Sequence, residues 1–222
     1  MKNKSALVFG LIVSFWIPAS ARGAEVSGHV RVTGRSGSAA PATVVYAESI
    51  SGQTAVHPVH RKLIQKNKTF SPPFMAIPVG STVDFPNEDP IFHNIFSLSR
   101  PEPFDLGLYR AGASKTRIFS QPASYRVFCN IHPQMTAVIL VVPTSWVAEV
   151  DSSGAYRLDL PAGHYRVTAW SERSQPSSAE LTVTSSAATA DLTLDESSYM
   201  EAPHKNKYGQ DYSKSAYEAL KH

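Results

Sequence analysis

From residue 26 onward, apolar and polar residues alternate in short runs that end at Gly, Pro, Ser or Asn, and this two-residue period predicts strands. The runs fall at 26–32, 43–47, 74–78, 82–85, 93–98, 115–119, 125–128 and 136–142. Turn residues separate them: Thr33-Gly34-Arg35-Ser36-Gly37-Ser38 follows the first run, and Val79-Gly80-Ser81 lies between 74–78 and 82–85. The run at 136–142 is continuously apolar after its threonine and stops at Pro143, which predicts a strand at the centre of a sandwich. About eight strands over ~120 residues is the density of a β-sandwich.

Between residues 144 and 196 the composition shifts to Ser, Thr and Ala, with no Cys, Met or Phe, so a boundary is expected at 143/144. Strands at 147–150, 156–160, 164–170, 180–184 and 190–194 are predicted, with turns at Asp151-Ser152-Ser153-Gly154 and Pro161-Ala162-Gly163. A piece of ~50 residues is short for a domain with its own core. The runs at 26–32 and 43–47 therefore either open a first domain spanning 25–143 or complete the second module, 144–196, from a distance. Residues 197–222 read as a polar tail, docked or mobile, with Lys205, Lys207, Lys214 and Lys221 among tyrosines. A short helix is expected at 213–221, and no chemistry is assigned to the tail.

The start of the chain has a different pattern. Lys2 and Lys4 precede an apolar run at 6–17, followed by Pro18 and the small residues Ala19-Ser20-Ala21. This reads as a secretory signal peptide occupying residues 1–24, cut after Ala21 or Ala24. The apolar run is shorter than the ~20 residues that span a bilayer, so the mature chain is expected to be exported, into the periplasm of a bacterial host, with no membrane attachment. The formal charge of +3, falling to +1 when Lys2 and Lys4 leave, offers no footprint for nucleic acid. Sixteen Pro and 12 Gly argue against a helical bundle. The single cysteine, Cys129, excludes an internal disulfide, and an unpaired thiol in an exported protein calls for another use.

That use is suggested by its neighbours. Cys129 opens the segment Cys129-Asn130-Ile131-His132-Pro133-Gln134-Met135, and His93 lies 36 residues upstream. A thiolate, two imidazoles and a thioether are the donors that suit copper cycling between Cu(I) and Cu(II). On a loop between antiparallel strands, the three-residue spacing lets Cys129, His132 and Met135 turn toward one point. His93 can then complete a trigonal His-Cys-His plane with Met135 as weak axial donor. Zinc shares the Cys and His ligands, but a thioether is a poor fourth donor for a structural zinc, and the loop has no carboxylate to serve a catalytic one. A nucleophilic Cys-His dyad draws its members from distant positions and leaves Met135 without a role.

The segment Tyr125-Arg126-Val127-Phe128-Cys129-Asn130-Ile131-His132-Pro133-Gln134-Met135 resembles the ligand loop of the cupredoxins, the blue copper family, and its C-x2-H-x2-M spacing is similar to that of amicyanin and pseudoazurin. Val83-Asp84-Phe85-Pro86-Asn87-Glu88-Asp89-Pro90-Ile91-Phe92-His93-Asn94 resembles the strand and turn that deliver the first histidine in that family. The meander from Asp151 to Val167 resembles the transthyretin-related, carboxypeptidase-regulatory-like sandwich. Together with Phe104-Asp105-Leu106-Gly107-Leu108-Tyr109 it is similar to exported cupredoxin-like proteins labelled methylamine utilization proteins. The resemblance spans residues 26–212. It implies an all-β fold, a cupredoxin-like Greek-key β-sandwich with a second small β module, and one type 1 copper held by His93, Cys129, His132 and Met135. It also implies that the Asn94 side chain ties the two ligand-bearing loops together.

The expected function is single-electron transfer between redox partners, with no substrate converted. Electrons would leave through His132, and Ile131 and Pro133 would give partner proteins an apolar surface to dock on. A copper carrier or storage protein, and a structural envelope module with incidental metal, are the other readings the sequence allows. The remaining features read as structural. His57-Pro58-Val59-His60 is expected in a surface loop, Met75 in the core or beside the metal, and Trp146 and Trp170 in the core of the second module. Asn67-Lys68-Thr69 matches a glycosylation acceptor without consequence in a bacterium, and His29, His164, His204 and His222 have no assigned partners.

Overall fold

A computed structural model of the chain describes residues 23–34, 41–200 and 203–212. The leader up to residue 22 and the helix expected at 213–221 lie outside the described residues. Every regular element among the described residues is a strand: β1 (Ala24–Thr33), β2 (Thr43–Ser49), β3 (His60–Lys62), β4 (Ile64–Lys66), β5 (Thr69–Ser71), β6 (Phe74–Pro78), β7 (Thr82–Pro86), β8 (His93–Ser97) and β9 (Phe104–Tyr109), followed by β10 (Ser114–Ile118), β11 (Ala123–Cys129), β12 (Thr136–Val142), β13 (Val147–Glu149), β14 (Ala155–Leu160), β15 (Gly163–Ser171), β16 (Ser177–Val183), β17 (Ala188–Thr189) and β18 (Leu192–Asp195). The protein is all-β, as its alternation implies. No helix among the described residues is long and apolar enough to cross a membrane.

Two sheets face each other around the first core. One has the order β6-β12-β11-β8-β9 and the other β10-β7-β3. Phe85 on β7, Ile95 on β8, Tyr125 and Val127 on β11, and Ile139 on β12 meet there with no exposed surface. β12 lies between β11, antiparallel, and β6, parallel. Its unbroken apolar run has a direct cause: Ala137, Ile139 and Val141 fill this core, while Leu140 and Val142 on the opposite face pack with Val44 of β2. A strand buried on both faces does not alternate.

The second core lies between the sheet β13-β2-β15-β16 and a sheet in which β1 pairs with β14, β17 and β18. β1 runs antiparallel to β14 from Ala24↔Leu160 to His29↔Ala155, and β2 runs antiparallel to β15 from Thr43↔Ser171 to Ser49↔Tyr165. The strands at 26–32 and 43–47 thus belong to the sheets of the C-terminal module and not to a domain spanning 25–143. The physical reason is coverage: without β1 and β2, Tyr156, Leu158, Tyr165 and Val167 would lack the Val26, Val30, Val45 and Ala47 that bury them. Trp146 lies edge-on to Tyr165 in this module, whereas Trp170 stacks on Phe74 at 6.0 Å, at the junction with the first sandwich.

Candidate metal centre

The end of the first sandwich gathers the chemistry. His93 is the first residue of β8, and Cys129 is the last of β11. The two strands are neighbours, with Cys129 paired to Ile95. Residues 130–135 then turn back into β12, carrying His132 and Met135. The turn is held from within by the Met135 N–H on the His132 carbonyl (3.0 Å) and the Cys129 N–H on the Met135 carbonyl (3.2 Å). It is held from β8 by the Asn130 N–H on the Asn94 carbonyl (3.0 Å).

Cys129 Sγ lies 3.7 Å from His93 Nδ1 and 3.7 Å from His132 Nδ1, and the two nitrogens are 3.1 Å apart. Bonds of ~2.0 Å to nitrogen and ~2.3 Å to sulfur at ~120° place N and S roughly 3.7 Å apart and two nitrogens roughly 3.5 Å apart. The three donors therefore fit one first-row metal ion. Among the described residues no carboxylate oxygen joins this group of three. His93 and Cys129 are fully buried and His132 is half-buried. Met135 is fully buried in the same core as Cys129, at the foot of the loop.

Electrostatics prepare these donors. Burial pushes the Cys129 thiol up, but hydrogen bonds from His132, His93 and the Asn94 and Ile131 amides outweigh it and bring it down to about 6. Burial pushes the His93 imidazole down, and its contacts with Cys129 and Asp89 more than reverse this, leaving it raised. With Nδ1 turned to the thiolate, Nε2–H donates to the Asp89 carboxylate at 2.8 Å. A carboxylate behind a ligating histidine fixes its tautomer and raises its basicity.

Asp89 is itself held by a strained turn. Asn67 and Lys68 connect β4 to β5 with φ of 54° and 51°, the left-handed pair of a tight two-residue hairpin. Two non-glycine residues in that region cost of order 1 kcal/mol or more each. Both amides aim at one carboxylate, Asn67 N–H at 2.6 Å and Lys68 N–H at 2.9 Å from Asp89. Burial works against ionised Asp89, and these amides with His93 overcome it, so its carboxyl sits below the usual range. The sequence offered only a glycosylation pattern at Asn67 and the family-like strand and turn at 83–94, because Asp89 reaches His93 through a loop whose shape no spacing rule describes.

Several expectations are corrected. The Asn94 side chain does not reach the Cys129 loop. Its Nδ2 donates to Asp105 at 2.6 Å, and Asn94 meets the loop through its backbone, the carbonyl accepting from Asn130 and the amide donating to the Cys129 thiol. The cause is a bulge: Asn94 faces Leu108 and Phe96 faces Asp105, so β9 holds one extra residue there, and Gly107 takes a φ of 71° to turn its amide onto Asp105. Pro133 is buried, not part of an open apolar surface, whereas Ile131 is 40% exposed. Met75 is a core residue, and His57 and His60 are exposed as expected. The tail is not free of the site either. His204 stacks on Phe128 at 4.2 Å and donates from Nε2 to the Pro133 carbonyl at 2.6 Å, and the Tyr212 hydroxyl donates to the Cys129 carbonyl at 2.9 Å.

No family model matches the chain, and no curated protein matches it. Solved structures of copper proteins do. A copper-containing nitrite reductase from Thermus scotoductus is 28% identical over 42% of this chain, with a TM-score of 0.37, and the match spans 24% of that enzyme's length. A purple cupredoxin from Nitrosopumilus maritimus is 24% identical over 37% of this chain and 99% of its own, with a TM-score of 0.34. A methionine variant of amicyanin in its Cu(I) form is 15% identical over 44% of this chain and 99% of its own, with a TM-score of 0.36.

Proposed function

We propose that this chain is an exported type 1 copper protein that carries single electrons between redox partners in the periplasm. The observation that supports the reading best is the convergence of one buried, low-pKa thiol and two imidazole nitrogens within 3.7 Å of it at the end of a rigid sandwich. Two imidazoles and a thiolate in a plane, with a thioether near them, are the donor set of blue copper electron-transfer sites. His93, Cys129 and His132 would hold the metal in the plane, and Met135 would be the weak axial donor. Copper bound there would supply a one-electron Cu(I)/Cu(II) couple.

The protein's own contribution is fixity. His93 cannot rotate while Asp89 holds Nε2, and Cys129 ends a strand paired on both sides, by β8 and β12. Donors that do not move when the charge changes keep the reorganisation of electron transfer small. His132 is the exit, being the only one of the three not fully buried. It lies beside exposed Ile131, which gives a partner a small apolar contact of the kind used by transient redox pairs. No substrate pocket and no general base belong to this reading, so no enzymatic activity is proposed. The second module, resembling carboxypeptidase-regulatory-like domains, is read as a structural companion. Voltammetry of the copper-loaded protein tests the function: a reversible one-electron wave supports a carrier of electrons, and copper lost on each reduction cycle contradicts it.

A further inference from the structure

The loop at 130–135 is covered by a segment that the electron-transfer reading does not use. Residues 203–212 run across it and make two hydrogen bonds to it and a third to Cys129 at its start. Tyr212 donates to the Cys129 carbonyl, His204 to the Pro133 carbonyl, and the Lys207 amide to Asn130 Oδ1 at 3.0 Å. The Cys129 carbonyl is a buried backbone acceptor at the end of a strand, a group that must find a donor, and the tail supplies it. Tyr212 is only 7% exposed, so this is packed structure.

Lys207 adds a second attachment. Its Nζ lies 2.8 Å from Asp105 Oδ2, and Asp105 Oδ1 accepts from Asn94 Nδ2, beside His93. Asn94 in turn accepts the Asn130 amide, and Asn130 accepts the Lys207 amide. A closed circuit results, Asn94 to Asp105 to Lys207 to Asn130 and back to Asn94. It joins the strand that carries His93 to the loop that carries His132. The Asn94 backbone already meets the loop, and the side-chain tie that Asn94 does not make alone is completed by Lys207, 77 positions beyond Asn130.

We infer that residues 203–212 are a strap that positions the ligand loop, with Lys207 and Tyr212 as its positioning residues. The strap sets the distance between the His93 strand and the Cys129–Met135 loop before any metal arrives. Its role in metal geometry rests on the copper reading, whereas its hold on the loop does not.

The test uses the full chain and three variants, Lys207→Leu, Lys207→Arg and Tyr212→Phe. In the metal-free protein, amide hydrogen exchange at Cys129, Asn130 and Met135 should quicken about tenfold in Lys207→Leu and Tyr212→Phe, the change expected from losing one or two hydrogen bonds. Exchange in β15 should not change, and Lys207→Arg should restore the wild-type rates. Unchanged exchange at the loop in both disruptive variants overturns the strap. With copper, the same two variants should shift the cupric absorption spectrum. Faster exchange with an unaltered spectrum would mean that the strap covers the loop without positioning its donors, and would overturn the positioning role. If the wild-type protein forms no coloured copper complex, the copper reading fails while the exchange result still decides the strap.

Discussion

Asp89 and His93 stand four residues apart with the carboxylate 2.8 Å from Nε2, on the ring nitrogen opposite the one that faces Cys129. A charged acceptor there makes the imidazole a stronger donor toward the metal side and fixes its ring plane. The carboxylate is in turn fixed by the Asn67 and Lys68 amides, so the hairpin between β4 and β5 determines how the His93 imidazole is presented.

Replacing Asp89 by Asn keeps the shape and removes the charge. Copper affinity should fall by ~10–100-fold, the usual cost of losing a carboxylate behind a ligating histidine. Because the lost charge favoured Cu(II) over Cu(I), the reduction potential should rise. A chelator competition titration and voltammetry on the same variant check both. An unchanged affinity would mean that Asp89 stabilises the loop only.

The metal-free protein should show a thiolate at an acidity where ordinary cysteines are protonated. Cys129 is depressed from 9.0 to about 6 in the fold, so the folded state sheds the proton first. Its contribution to stability is fully present above the unfolded value and disappears as pH falls through about 6. Thiolate absorbance near the ultraviolet edge, followed from mildly acid to alkaline pH, should titrate near 6, and Cys129→Ser should remove the transition. A midpoint close to 9.0 would show that the histidines do not stabilise the anion.

Leu140 points away from the metal, into the junction between the two sandwiches, and is 4% exposed. Truncation to Ala should cost ~2–5 kcal/mol of stability in chemical denaturation. The copper spectrum should stay as it is, since Ile139 and Val141, on the other face of the strand, line the metal-side core.

Docking near His132 should depend on Ile131. Placing a charge there with Ile131→Glu should slow electron exchange with a redox partner, while Thr182→Glu, exposed on the second module, should not. Stopped-flow exchange at one ionic strength compares the two, and equal effects would remove the exit from His132.

Much of this was readable from the chain. Alternation at 82–85, 125–128 and 164–170 predicts strands that the fold contains as β7, β11 and β15, because half-buried strands must alternate. Donor types and spacing likewise single out His93, Cys129 and His132, which the fold brings together. What the chain concealed is long-range. Strands β3, β4 and β5 have three residues each, too few for a period to appear. β1 and β2 alternate correctly but give no sign of which module they complete, because pairing partners 116 to 136 residues away leave no local trace. The contacts of His204, Lys207 and Tyr212 with the ligand loop follow from how a polar tail is routed over the surface, and its composition resembles any solvated terminus.

If His93, Cys129 and His132 form one trigonal copper site, the visible spectrum of the cupric protein reports it. Stoichiometric Cu(II) added to the purified protein should produce an intense thiolate-to-copper charge-transfer band, and Cys129→Ser should abolish it while the sandwich stays folded. A stoichiometric cupric complex with no such band would contradict the site as described.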